Sequence, residues 1–272
     1  MNGAIICDLD GVLYLGEESV PGALHALEDF ERRGAQLLFC TNNSTRTAAE
    51  AAAKIRRVVG FPARPDQVVT SAMAAAHLLA GQVDQAHVVG DAGVCEALEA
   101  VGIELVGAVD APAVVVGLDR TVTYARIRDA ALAVRAGARF VATNLDGSYP
   151  TPAGQWPGAG SLATAIAVAS DRTPEVAGKP HRPMIDLLKQ ELGDQSDVVV
   201  IGDRPETDLA LGREAGWRTV LVLTGVTGDP TEVRAEYRPD AAVDSIAGVP
   251  DLLTNEFQWE VMGPEPPDQT RP

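Results

Sequence analysis

The sequence predicts an α/β protein built on a doubly wound, Rossmann-like parallel sheet. Three observations carry this reading. Apolar runs of strand length alternate with helix-like stretches of about ten residues along most of the chain. The runs are almost continuously apolar, as strands buried on both faces are. Three of them end abruptly in polar clusters: Ile5-Ile6-Cys7 in Asp8-Leu9-Asp10-Gly11, the run over 36–40 in Thr41-Asn42-Asn43-Ser44, and the run over 197–201 in Gly202-Asp203. Open α/β folds place their ligands outside the carboxyl ends of the strands, so these clusters share one edge.

The elements follow in order. Residues 12–18, apolar and bounded by turn residues, suit a small hairpin beside the carboxylates. Pro21 opens a helix to 33, with Leu24, Leu27 and Phe30 at spacings of three and Gly34 as the stop. A strand over 36–40 precedes a helix over 47–59. Residues 60–65 are a turn cluster, 68–71 an extended piece and 72–80 a helix. The alternation continues with strand 87–89, helix 94–101, strand 114–116, helix 124–136 and strand 140–142. The stretches 146–150 and 155–160 read as turn-rich and lead into a helix over 161–170. Gly178-Lys179-Pro180 lies in a loop. Helix 183–192 and strand 197–201 follow, then a helix to 215, strands at 219–223 and 241–243, and a short helix to 253. Pro264, Pro266, Pro267 and Pro272 mark a disordered tail over 255–272.

Composition bounds the partners. The chain has 272 residues, enough for one large domain or two modest ones, and is 46% hydrophobic and 22% charged. A net charge of -16 argues against nucleic acid and against anionic membranes, which attract basic surfaces. A small anionic substrate then needs a locally positive site, and the chain has only three lysines, Lys54, Lys179 and Lys189. Three cysteines, Cys7, Cys40 and Cys95, form neither a disulfide framework nor a zinc motif and suit a reducing cytosol. The N-terminus carries no targeting pattern, and no apolar run approaches the ~20 residues of a membrane span. The expected location is cytoplasmic.

The strand-end clusters carry the chemistry. Asp8 and Asp10, alternate residues at a strand end, can face one pocket, and Asp203 and Asp208 join them at the same edge. Close carboxylates repel, and a bound cation relieves them. Mg²⁺ prefers oxygen ligands and commonly holds a substrate phosphate. Lys179, in its loop, supplies the positive charge a phosphate requires. A carboxylate can act as the nucleophile in phosphoryl transfer, while a neighbouring one moves protons. Thr41 and nearby backbone N–H groups can hold the phosphoryl oxygens.

These four motifs, in this order, resemble the haloacid dehalogenase-like (HAD) phosphatases of the branch with an α/β cap (type C2, class IIA), and within it the glycerol-3-phosphate and phosphoglycolate phosphatase group. Asp8-Leu9-Asp10-Gly11, Thr41-Asn42-Asn43-Ser44, Gly178-Lys179-Pro180 and the segment from Gly202 to Asp208 match the motifs, and the match spans roughly 3–254. The resemblance implies a HAD-like core over 1–78 and 177–254 and a cap over 79–176, inserted among the 138 residues that separate Thr41 from Lys179. It implies Asp8 as nucleophile and metal ligand, and Asp10 as general acid/base lending the metal its backbone carbonyl. Asp203 completes the Mg²⁺ site. Thr41, Asn42 and Asn43 bind the phosphoryl group, Gly11 lets the backbone approach it, and Lys179 neutralises it and orients Asp8. Asp208 stands behind these ligands, holding water or Lys179. Relatives often self-associate through the cap, so a homodimer is expected.

Weaker signals complete the set. Thr143-Asn144-Leu145-Asp146 follows the last cap strand, and Asn144 and Asp146 either read the leaving group or form a plain turn. Arg204 contacts phosphate or anchors its loop. Trp156 and Trp217 read as packing residues, and Cys7 and Cys40 as small buried ones. The function expected is Mg²⁺-dependent hydrolysis of a small phosphorylated metabolite, best glycerol 3-phosphate or phosphoglycolate, through an aspartyl-phosphate. The alternatives are a broad-specificity nucleotide or sugar phosphatase and a non-catalytic receiver-like module.

Overall fold

A computed structural model of the chain describes residues 3–151 and 153–257. The expected tail therefore lies outside the described residues from position 258 onward. The elements open with β1 (Gly3–Cys7), β2 (Tyr14–Leu15), β3 (Glu18–Ser19), α1 (Ala23–Arg32), β4 (Gln36–Thr41), α2 (Ala48–Val59), β5 (Val68–Thr70) and α3 (Ser71–Leu79). They continue with β6 (Gln85–Val89), α4 (Ala92–Ala100), β7 (Glu104–Leu105), β8 (Ala113–Val116), α5 (Tyr124–Ala136), β9 (Arg139–Ala142), β10 (Ser148–Thr151), β11 (Gly154–Pro157) and α6 (Ala159–Ser170). The last are β12 (Glu175–Val176), α7 (Arg182–Leu192), β13 (Asp197–Gly202), α8 (Ala210–Ala215), β14 (Arg218–Val222), β15 (Ala241–Val243) and α9 (Val249–Asn255). Packing divides the described residues into two compact units, one of 3–39, 54–63 and 192–257, the other of 40–53, 64–151 and 153–191.

In the first unit, strands run parallel in the order β15-β14-β13-β1-β4. All five residues of β1 are buried, which explains their unbroken apolar character. Register pairs Cys7 with Ile201. Asp8 and Gly202 are the next residues on their strands, so the Asp8 and Asp203 motifs leave the sheet side by side. The α1 helix buries Ala23, Ala26, Leu27 and Phe30, one apolar stripe at spacings of three and four. The expected hairpin forms from β2 and β3.

The helix expected after the Gly202–Asp208 motif is α8, beginning at Ala210, and a wide turn over Pro205–Leu209 leads into it. The cause is local: the Asp208 carboxylate bends back to accept the backbone N–H groups of Asp203 and Arg204, at 3.2 and 3.1 Å.

The second unit carries a parallel five-stranded sheet in the order β12-β9-β8-β6-β7. Val89, Val114, Val116, Phe140 and Ala142 of this sheet pack with Ala130 and Val134 of α5 and Ala163 and Ile166 of α6. Two strands here escaped the sequence reading, β7 and β12, because a two-residue edge strand is shorter than any apolar run that periodicity can detect. The stretches read as turn-rich form the antiparallel hairpin β10–β11, with Tyr149 opposite Trp156. Gly and Pro marked it as a turn, yet a free-standing hairpin tolerates both on its edges. Among the described residues, no helix is long and apolar enough to cross a membrane.

Candidate active site

The first unit gathers carboxylates at the carboxyl ends of β1 and β13. Asp8, Asp203 and Asp208 each offer one carboxylate oxygen, all within 4.8 Å of one another. That is close to the ~4.2 Å between two oxygens on opposite sides of one Mg²⁺ at its ~2.1 Å contact distance. Asp203 and Asp208 are 1% exposed, and two buried carboxylates beside a third repel unless a cation sits with them. An all-oxygen donor set with no thiolate or imidazole suits Mg²⁺. The residues present therefore fit the ion.

Each carboxylate is held by backbone geometry. Asp8 leaves β1 with its N–H donating to the Ile201 carbonyl at 2.9 Å. Asp203 Oδ2 accepts the Val226 N–H at 2.7 Å. It also fills space that side chains at Gly11 and Gly225 would need: a β-carbon on Gly11 would lie 2.7 Å from Asp203 Cγ, and one on Gly225 would overlap the carboxylate. Gly11 has a φ of +89°, so both sterics and conformation require glycine there. Its missing side chain makes room for Asp203. Asp208 is placed among the carboxylates, with Oδ2 taken by the two N–H groups that bend the wide turn. Arg204 contributes through this backbone N–H, which favours its anchoring reading. Asp10 lies outside the three-carboxylate group. Its side chain is 57% exposed, with Oδ1 3.7 Å from the ammonium of Lys54, a residue the sequence reading did not single out.

The second unit holds the other predicted residues in a network centred on Asn42. The Asn42 side chain accepts the Lys179 backbone N–H at 2.8 Å and donates to the Lys179 carbonyl at 3.2 Å. The Asn42 carbonyl accepts from Ser71 Oγ and Asn144 Nδ2, both at 2.7 Å. Lys179 is 5% exposed, and its Nζ donates to the Cys40 carbonyl at 3.1 Å. Gly178 is needed because a β-carbon there would meet Asn42 Oδ1 and the Thr143 carbonyl, each at 2.5 Å. Thr41 Oγ1 accepts the Asn43 N–H at 3.1 Å, and Asn43 Oδ1 caps Thr45.

Two predicted binding side chains are thus committed elsewhere. The Asn42 amide clamps the Lys179 loop. Asn144 spends its amide nitrogen on Asn42, and its oxygen accepts the Asp146 N–H at 3.0 Å, an Asx turn of the kind weighed against the substrate role. Asp146 is partly exposed. Sequence reasoning passed over Ser71 and Ser44. Ser71, next after the extended run over 68–70, could have been found as another polar residue at a strand end. Ser44 is 1% exposed and accepts from Thr143 Oγ1 at 3.1 Å.

A carboxylate cluster at the strand ends of a parallel α/β sheet suits a divalent metal ion and phosphoryl-transfer chemistry. The comparisons with known proteins agree. The family model for haloacid dehalogenase-like hydrolases matches residues 5–104, and one described as HAD-hydrolase-like matches 176–249. The chain is 38% identical over 246 residues to the 5'-nucleotidase YutF of Bacillus subtilis, covering 89% of this chain and 94% of that one. It is 36% identical over 260 residues to the dihydroxyacetone phosphatase of Corynebacterium glutamicum, covering 94% of both. Among solved structures, it resembles glycerol phosphate phosphatase from Mycobacterium tuberculosis in complex with magnesium. There the TM-score is 0.85 at 36% identity, covering 92% of this chain and 78% of that one. The chain belongs to the haloacid dehalogenase-like hydrolase family. It is a Mg²⁺-dependent phosphatase of small phosphate monoesters, and the receiver-like alternative falls.

Proposed function

We propose that this phosphatase acts on the phosphate esters of small alcohols, with glycerol 3-phosphate and phosphoglycolate the leading substrates, through an aspartyl-phosphate. The observation that carries the mechanism is the group formed by Asp8, Asp203 and Asp208 at the strand ends. Asp8, Asp203 and Asp208, with the Asp10 carbonyl, are the residues that would hold Mg²⁺, whose charge offsets the repulsion between a carboxylate nucleophile and an anionic phosphoryl group. Asp8 attacks phosphorus, and Asp10 gives a proton to the departing alcohol and then takes one from the attacking water. Lys179 balances the charge of the phosphoryl group. Thr41 and Asn43 bind its oxygens, and Asn42, its side chain occupied, contributes backbone N–H.

Substrate choice is the part that similarity informs. The relatives named above are phosphatases of dihydroxyacetone and glycerol phosphates and a 5'-nucleotidase, so a nucleotide is the second reading. Residues 79–176 are taken as the cap that selects the alcohol and supports self-association, in a cytoplasmic setting that the cysteine usage suits. A panel of phosphate esters with Mg²⁺ or chelator tests the substrate. A preference for the glycerol and glycolate esters supports the first reading, and a preference for nucleoside monophosphates replaces it with the second. Asp8→Asn should lower turnover by roughly 10⁴-fold or more and abolish acid-stable labelling from ³²P-substrate. Turnover retained in that variant would end the aspartyl-phosphate mechanism.

A further inference from the structure

Lys54, on α2, is a buried cation of the first unit that the mechanism above does not use. Its side chain is 8% exposed, in a chain that carries 38 acidic and 22 basic residues and has ample acidic surface to solvate a lysine. Burying an ammonium is costly, so its partners matter. Its Nζ lies 3.7 Å from Asp10 Oδ1 and 3.7 Å from the centroid of the Tyr14 ring. Both belong to one turn. Asp10 and Tyr14 form an isolated bridge, and the Gly11 N–H donates to the Tyr14 carbonyl at 2.9 Å. Tyr14 is 2% exposed, a fixed ring face on which an ammonium rests by cation–π attraction. The Asp10 side chain, at 57% exposure, has no comparable packing to select one rotamer.

We infer that Lys54 is a positioning residue: anchored on Tyr14, it holds Oδ1 of Asp10 and so presents Oδ2 as the oxygen that carries the proton. The inference rests on the role given to Asp10 above. In that step Asp8 Oδ forms a bond to phosphorus, and the bond from phosphorus to the ester oxygen breaks with its electron pair staying on that oxygen. The proton on Asp10 Oδ2 moves to the same oxygen, releasing a neutral alcohol and leaving Asp10 ionised. A freely turning carboxyl would spend much of its time with the proton misdirected, and misorientation of this kind is costly in rate.

Leaving-group dependence separates this role from packing and from simple attraction of the anionic substrate. 4-Nitrophenolate departs without a proton, whereas an alkyl alcohol needs one. The ratio of kcat/KM for the best alkyl phosphate of the panel to kcat/KM for 4-nitrophenyl phosphate reports proton delivery. Any misfolded fraction lowers both values equally and cancels. Lys54→Met should lower this ratio about tenfold or more, and Lys54→Arg should restore it to within about threefold of the wild type. Equal losses on both esters, or a ratio that Met and Arg change alike, would overturn the inference. Asp10→Asn is measured beside them. If it leaves the ratio unchanged, the proton-donor role of Asp10 is wrong and the inference falls with it. If it lowers the ratio and Lys54→Met does not, only the inference fails.

Discussion

Asp203 Oδ2 occupies the space that a β-carbon on Gly11 would need. Gly225 closes the other side, where a β-carbon would stand 2.6 Å from Asp203 Cβ, and the Val226 N–H completes the hold on the same oxygen. Thr224 Oγ1 donates to the Gly11 carbonyl at 2.6 Å, tying the two glycine-bearing loops together. Two side-chain-free positions thus aim one carboxylate at the metal site.

That arrangement predicts a metal phenotype for a residue distant in sequence from every motif. Gly225 has no positive φ, so Gly225→Ala tests sterics alone. It should raise the Mg²⁺ concentration for half-maximal activity by about 10- to 100-fold, the usual cost of disturbing a partner of a metal ligand. Gly11→Ala should do at least as much, because it adds conformational strain. Metal titrations read this directly. Wild-type Mg²⁺ dependence in Gly225→Ala would show that Asp203 has room to move.

A second prediction concerns pH and the edge of the second unit's sheet. Arg139 on β9 donates from Nε and one terminal nitrogen to the two oxygens of Glu175 on β12, at 2.6 and 2.8 Å. The hydrogen bond from Arg139 holds the Glu175 carboxyl below its ordinary value of 4.5, against the opposing effect of partial burial. A carboxylate with a lowered folded-state pKa stabilises fully above its unfolded pKa, and that contribution is lost as pH falls through the folded value. Half-exposed as Glu175 is, solvent screening keeps the effect of Glu175→Gln below about 1 kcal/mol. Denaturant midpoints of wild type and variant should differ most at neutral pH and converge as pH falls below 4.5. A difference that persists unchanged at pH 3 would assign it to packing.

Legibility in the sequence followed length and contrast. β1, β4 and β13 were readable because each is an unbroken apolar run ending in polar residues. The predicted α5 has the observed bounds because Thr123 caps it and Gly137 ends it in a left-handed conformation. β7 and β12 are too short to leave a period. The wide turn at Pro205 depends on where the Asp208 side chain goes, which no local pattern encodes. The same limit applies inside the site. Residue type alone points to Asp8, Asp203 and Lys179 as candidates, but the partners of an amide side chain are tertiary facts, so the bonds of Asn42 to the Lys179 backbone and of Asn144 to the Asn42 carbonyl leave no trace in the sequence. Lys54 sits in the Ala-rich α2 and looks like an ordinary solvated lysine until Asp10 and Tyr14 fold against it.

The Asn42 clamp gives the last prediction. Its amide makes two hydrogen bonds to the backbone of Lys179, one as acceptor and one as donor. Asn42→Ala removes both and leaves the Lys179 N–H and carbonyl without that partner, a stability loss of about 1–3 kcal/mol. The Lys179 side chain keeps its own bond to the Cys40 carbonyl, so the lysine is displaced rather than released. A shift of about 1 Å in a charge that must meet a phosphoryl group can cost about 10²-fold in rate. Asn42→Ala should therefore lower kcat/KM by roughly that factor and weaken inhibition by inorganic phosphate, while Ser71→Ala, which removes a bond to the Asn42 carbonyl only, should do less. Steady-state kinetics with phosphate inhibition, run beside thermal melts, separates the outcomes. A lower melting temperature with wild-type kcat/KM and phosphate inhibition would make Asn42 a stabilising residue alone, and the placement of Lys179 would then owe nothing to it.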